Sequence, residues 1–198
     1  MQSAVSSPSG LAHSTVSLQK TLPGRITLVV AATVLVALSA HISLPLPFTP
    51  VPLTLQTFAV ILVGMALGPI GSFSAMVLYL AQGALGLPVF SPHGPGGVAQ
   101  LIGPTAGFLF SYPLAAASAG WVVRELEGRA SRFTRAVIAG CVASAFIFAL
   151  GAGWLAILLH LSGSAAWHLA IAPFLPGELI KVTAAAGLYS TFERSRRS

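Results

Sequence analysis

Residues 53–87 read LTLQTFAVILVGMALGPIGSFSAMVLYLAQGALGL and contain no Lys, Arg, Asp or Glu. At 35 residues this run is longer than one membrane span, which needs about 20 apolar residues to cross a hydrocarbon core about 30 Å thick. The GPIG sequence at 68–71 divides the run, since glycine and proline together favour a tight turn. The sequence therefore predicts two spans, 53–67 and 72–87, joined by a turn.

Charged residues are scarce in the rest of the chain as well. Only 7% of the 198 residues are charged, against about 25% in soluble domains, and so few charges could not solvate a soluble surface. None occurs at 26–123 or at 136–177. We therefore predict an all-α integral membrane protein. The net charge of +6 lies in loops and tail, where membrane topology and anionic lipid headgroups explain it better than nucleic acid does.

Proline and glycine clusters divide the remaining apolar sequence. The Pro-rich stretch 45–52 and the loop 88–103 are predicted connectors, because proline cannot continue a helix. The predicted transmembrane helices are six: 26–42, 53–67, 72–87, 104–123, 134–161 and 169–192. Residues 1–25 are predicted to be a disordered N-terminal segment, 26–192 the transmembrane domain and 193–198 a basic C-terminal tail.

Basic residues lie on one side of this predicted topology. With the N-terminus in the cytoplasm, the inside segments are 1–25, 68–71, 124–135 and 193–198. They hold all ten Lys and Arg residues except Lys181. Because cytoplasmic loops are enriched in Lys and Arg, the distribution predicts that both termini are cytoplasmic.

Glu178 and Lys181 stand alone within the apolar C-terminal segment. A charged side chain at the middle of a bilayer costs about 2.5–3.5 kcal/mol on insertion scales, so it usually faces a pocket, a pathway or an opposite charge. Three residues apart on a helix, the two share one face and can pair. Pro176 just before them is suited to the first turn of a helix. Two interpretations stay open: a salt bridge that only fixes helix packing, and a ligand site open to the outside.

Two other polar segments reach the same outer half of the predicted bundle. Gln56 and its neighbouring hydroxyls enter the second span from outside. The loop 88–103 either folds over a pocket as a lid or is a flexible connector. Motifs of phosphate loops, zinc proteases and nucleophile elbows are absent, as is aspartate, and the scattered His residues predict no metal site. Capture of a small molecule is therefore favoured over enzymatic activity.

Three motifs carry a family resemblance. They are PLPFTPVPLTLQ at 45–56, GPTAGFL at 103–109 with Tyr112 following, and PGELIK at 176–181. In this order they resemble the BioY family, the biotin-binding S components of energy-coupling factor (ECF) vitamin transporters. The resemblance implies uptake of biotin by a six-helix subunit of the plasma membrane. It also implies a transmembrane coupling subunit and two cytoplasmic ATPases as partners, with no cofactor in this chain.

The resemblance also implies roles for individual residues. The residues expected to bind the substrate are Glu178, Lys181, Gln56, Gly96, Gly97, Gln100 and Tyr112. A small-residue patch on the first helix, used by S components for docking the coupling subunit, has its nearest match at Thr33 and Ala37. The alternative is a stand-alone secondary carrier for biotin or a similar small carboxylate, in which Glu178 would take up a coupling proton.

Overall fold

The computed structural model describes residues 21–195, most of which are helical. The α-helices are α1 Leu22–His41, α2 Gln56–Ala84, α3 Gly97–Ile102, α4 Ala106–Glu125, α5 Arg132–Leu158, α6 Gly163–Ala170 and α7 Leu175–Ser195. Two-residue strands, β1 Ser43–Leu44 and β2 Leu53–Thr54, pair antiparallel, and a 3₁₀ turn at Ala172–Phe174 precedes α7. Within this described range, five segments are long and apolar enough to cross a membrane: Leu22–His41, Gln56–Ala84, Ala106–Glu125, Arg132–Leu158 and Gly163–Ser195.

Helix α2 is bent back on itself at Gly68. That residue has φ 73° and ψ 178°, a conformation that residues with a Cβ rarely adopt. Gln56 Nε2 donates a hydrogen bond to the Tyr79 hydroxyl at 2.7 Å, although a straight helix would separate residues this far apart by about 35 Å. The arms 56–67 and 69–84 therefore lie side by side, and the turn predicted at 68–71 lies at the break.

The predicted ends of several helices are wrong. Helix α1 begins at Leu22, because Thr21 Oγ1 accepts a hydrogen bond from the Gly24 amide at 3.2 Å and caps the helix. Residues 22–25 are thus helical, whereas residues 1–20 of the predicted disordered segment lie outside the described residues. Helix α4 begins two residues after Pro104.

At the C-terminal end, α7 continues to Ser195, so residues 193–195 of the predicted tail are helical. Residues 196–198 lie outside the described range.

Short elements occupy two stretches predicted to be connectors. Ser43 pairs with Thr54, and Leu44 with Leu53, so the ends of α1 and α2 are joined across the Pro-rich connector. The loop 88–103 contains α3. A separate helix, α6, precedes α7, because the Ser162 hydroxyl accepts a hydrogen bond from the Ala165 amide and begins a helical turn there.

Helix α4 is the centre of the bundle and packs against both α2 and α5. Its contact with α2 is close because it is made by glycines: a Cβ on Gly120 would lie 2.7 Å from the Gly64 carbonyl oxygen. Small residues at helix interfaces let membrane helices approach in this way. By contrast, α1 exposes an apolar stripe formed by Ile26, Val30, Val34 and Leu38, as expected for a face in contact with lipid.

Candidate functional site

A cavity opens between the connector 45–52, the loop after α2 and helices α2, α4, α5 and α7. The empty space between its walls, including the part open to solvent, is about 560 Å³. The lining residues are Val51, Pro52, Thr54, Gln56, Thr57, Ser91, Gln100, Thr105, Phe108, Leu109, Tyr112, Ile147, Phe148, Phe174, Glu178 and Lys181. Apolar walls with a few converging polar groups are typical of small-molecule sites.

Glu178 and Lys181 form an ion pair on the wall of this cavity. Lys181 Nζ lies 3.1 Å from Glu178 Oε2, and the side chains of Lys181 and Glu178 are only 11% and 6% exposed. Glu178 Oε2 also accepts a hydrogen bond from Thr57 Oγ1, and Oε1 accepts one from Ser144 Oγ, each at 2.8 Å. Because Thr57 lies on α2 and Ser144 on α5, this network joins three helices.

Glu178 and Lys181 differ in how much of their hydrogen-bonding capacity the protein already uses. The Glu178 carboxylate accepts three hydrogen bonds from the protein. The Lys181 ammonium has three N–H groups, of which one is donated to Glu178 and one to Thr57 Oγ1 at 2.8 Å. Residues 21–195 offer the Lys181 ammonium no third acceptor, so one of its N–H groups stays available to a molecule in the cavity.

A second polar group lies on the wall formed by α2 and α4. Gln56 donates to Tyr79, whose hydroxyl donates in turn to the Val89 carbonyl at 2.8 Å. The Tyr112 ring lies near Tyr79, with a centroid separation of 6.5 Å, and lines the cavity. Within residues 21–195 the Tyr112 hydroxyl makes no hydrogen bond, so it too is available to a bound molecule.

Gln100 braces the glycine-rich loop at the rim of the cavity. Its Oε1 accepts a hydrogen bond from the Gly96 amide at 3.1 Å, and its Nε2 donates to Thr105 Oγ1 at 3.2 Å. Gly96 (φ 70°) and Gly97 (φ 57°) have left-handed backbones. Neither glycine lines the cavity, and Gly96 is connected to the cavity wall by its hydrogen bond to Gln100.

Five of the seven predicted substrate-binding residues therefore meet at one cavity, namely Gln56, Gln100, Tyr112, Glu178 and Lys181.

The site also contains two serines that the sequence does not predict. Ser144 donates a hydrogen bond to Glu178, and Ser91 lines the cavity. A lone serine in an apolar helix or in a loop carries no signal of its own, because its hydroxyl is often satisfied by the local backbone.

The predicted docking patch lies on α1, away from the cavity. Thr33 is only 1% exposed and Ala37 is half-buried, so Thr33 does not project from the surface. Both line a shallow groove between α1 and residues 82–89 of the chain.

A bundle of apolar helices that encloses an ion-paired cavity defines an integral membrane protein with a small-molecule site. The chain belongs to the BioY family, whose sequence model matches residues 12–198.

Its relatives are named as biotin transporters. It is 36% identical over 149 residues to a Bacillus subtilis protein named probable biotin transporter BioY, and the match covers 72% of this chain and 75% of that relative. It is also 36% identical over 179 residues to a biotin transporter BioY of Rhodobacter capsulatus, covering 84% and 91%. Among solved structures, the fold matches the S-component for biotin from an ECF-type ABC transporter with a TM-score of 0.78. That match has 22% identity and covers 86% of this chain and 90% of the other.

Proposed function

We propose that this chain is the biotin-binding S component of an ECF-type transporter and that biotin binds in the cavity beside Glu178 and Lys181. The observation that carries the proposal is the buried ion pair, which lies on a cavity wall with one Lys181 N–H still available. Family membership and the names of the relatives support the choice of ligand.

The chemistry of the cavity suits biotin. Biotin has a polar ureido group, an apolar fused ring and a carboxylate. Phe108, Phe148 and Phe174 supply apolar walls for the ring, while the free N–H of Lys181 and the Tyr112 hydroxyl supply donors. Such a mixture of apolar surface and few polar contacts gives both affinity and orientation.

The proposal includes six transmembrane spans in the plasma membrane with both termini cytoplasmic. The two arms of α2 count as two spans, since Gly68 ends one and Pro69 begins the next. The cavity then opens outward, because the connector 45–52 and the loop 88–103 lie at the end opposite to the turn at 68–71.

A labelling experiment tests this orientation. Cysteines introduced at His93 and Ser164 in a Cys141→Ser background are expected to react with an impermeant thiol reagent added to intact cells, whereas one at Ser131 is not. All three positions are exposed in the structure. His93 is preferred to its neighbour Gly94, where a Cβ would overlap Gln100 Oε1. If only the cysteine at position 131 reacted, the proposed orientation of the protein in the membrane would be contradicted.

The proposed partners are a transmembrane coupling subunit and two cytoplasmic ATPases. The groove lined by Thr33 and Ala37 is the proposed docking place for the coupling subunit, because small residues allow a partner helix to approach closely. The chain itself would need no cofactor and carry out no chemical conversion.

The glycine-rich loop is proposed to act as a lid over bound biotin. Gly96, with φ 70° and ψ 175°, has a backbone that only glycine adopts readily, and forcing another residue there costs about 1–3 kcal/mol. We therefore expect Gly96→Val and Gly97→Val to weaken biotin binding by about 10-fold or more, measured by titration. Gly163→Val is the control, since Gly163 has ordinary φ and open space around it within the described part of the chain.

Protease digestion gives an independent test of the lid. Biotin is expected to protect residues 94–100 of the wild type from cleavage and to protect the Gly97→Val variant less. Equal cleavage with and without biotin would mean that this loop is only a connector.

Proteoliposomes that contain only this chain separate the proposed subunit from a secondary carrier. The subunit is expected to bind biotin without accumulating it under a pH gradient. Accumulation driven by the gradient would contradict the proposal and favour the carrier. The carrier is less well supported, because Glu178, its proton acceptor, already accepts three hydrogen bonds including one from a cation.

A further inference from the structure

Ser91 is a residue of the cavity wall whose buried hydroxyl has no hydrogen-bond partner among residues 21–195. Ser91 is 6% exposed, it lines the cavity, and no atom of residues 21–195 pairs with its Oγ. A buried polar group that lacks a partner costs about 1–3 kcal/mol. Alanine would fill the same place without that cost, so the serine needs an explanation beyond packing.

The backbone around Ser91 is held on both sides. The Val89 carbonyl accepts the hydroxyl hydrogen of Tyr79, and the Ser91 carbonyl accepts the Gly94 amide hydrogen at 3.3 Å. Between them, the Phe90 ring packs edge-on against Tyr79 with centroids 5.5 Å apart. The backbone of Ser91 is thus held in place before any ligand arrives, which lowers the entropic cost of a contact between its side chain and a ligand.

We propose that Ser91 Oγ donates a hydrogen bond to an oxygen of bound biotin and so helps to set ligand specificity. This inference rests on the proposed function. The available groups on the cavity wall are one N–H of Lys181, which can only donate, and the hydroxyls of Tyr112 and Ser91, which can donate or accept. An oxygen is therefore the ligand atom that all three can bind. The carboxylate of Glu178 is already engaged by three protein donors.

The chain offers a matched control in Ser43. Its Oγ is also buried and unpartnered within residues 21–195, but Ser43 lies on β1 and does not line the cavity. Ser91→Ala and Ser43→Ala remove the same group from comparable surroundings. Both purified variants are expected to melt at or above the wild-type temperature in the absence of biotin, because each loses an unsatisfied hydroxyl.

Titration with biotin then separates the two serines. Ser91→Ala is expected to bind about fivefold to about 150-fold more weakly than the wild type, and Ser43→Ala to bind equally well. Wild-type affinity in Ser91→Ala would overturn the inference while leaving the proposed function in place. Failure of the wild type to bind biotin would overturn both.

Two analogues identify the oxygen. Descarboxybiotin, in which hydrogen replaces the carboxylate, lacks both carboxylate oxygens, and iminobiotin has nitrogen in place of the ureido oxygen. The penalty of Ser91→Ala is expected to shrink to less than about twofold for the analogue that has lost the contacted oxygen, since a broken pair has no coupling left to measure. An undiminished penalty with both analogues would overturn the contact with a ligand oxygen.

Discussion

Replacing Lys181 with alanine is expected to weaken biotin binding at least about 100-fold, because a lost charged partner in a buried site costs about 3–5 kcal/mol. The substitution removes the one N–H group of Lys181 left for the ligand. It also leaves the Glu178 carboxylate, 6% exposed, without its cation. The measurement is a calorimetric titration of the purified protein, with a melting curve to show that the protein is folded.

A double variant separates a ligand contact from a structural salt bridge. Glu178→Gln with Lys181→Met removes both charges at nearly constant volume, and replacing both members of a buried pair is often neutral for stability. We expect the double variant to melt near the wild-type temperature and still to bind biotin at least about 100-fold more weakly. If the folded double variant bound biotin with wild-type affinity, the ion pair would have a role in helix packing and none in ligand binding.

Gly120→Ala is expected to lower the stability of the bundle by about 1–3 kcal/mol, as overpacking in a tight interface does. The added Cβ would lie 2.6 Å from the Gly68 carbonyl carbon and 2.7 Å from the Pro69 nitrogen. These are backbone atoms of α2 at its turn, and they cannot move without opening the hairpin. A fall in melting temperature in detergent is the expected result.

Gly153→Ala is the matched control for the helix interface. Gly153 lies within α5, and no heavy atom from the rest of the described chain comes within 4 Å of the place that an alanine Cβ would take. Alanine in a helix is more stable than glycine by about 0.5–1 kcal/mol, so the melting temperature of this variant should stay the same or rise. Equal effects of the two substitutions would show that the contact of α4 with the turn of α2 does not hold the bundle together.

The sequence predicts the membrane helices well because the cost of charge in a bilayer acts on every residue. The absence of charge at 26–123 predicts apolar membrane helices, and the isolation of Glu178 and Lys181 predicts the ion pair on the wall of the candidate site. The helix break is also predictable, because glycine at position 68 can adopt a positive φ and proline at position 69 cannot continue the preceding helix.

Other features depend on contacts that no local pattern encodes. Helices α3 and α6 have 6 and 8 residues, and such short helices form only where tertiary packing stabilises them. Helix α5 places the Ser144 hydroxyl against the Glu178 carboxylate, and the loop after α2 places Ser91 on the cavity wall. Neither position can be predicted from the local sequence. Likewise, Gln100 is predicted to be a substrate-binding residue, and the structure adds that its side chain accepts a hydrogen bond from the Gly96 amide.

The most direct test of biotin capture is a titration of the purified wild-type chain alongside the Lys181→Met variant. We expect saturable binding of one biotin per wild-type chain and at least about 100-fold weaker binding by the variant. Absence of binding by the wild type, or equal binding by both proteins, would contradict the proposed capture of biotin beside Lys181.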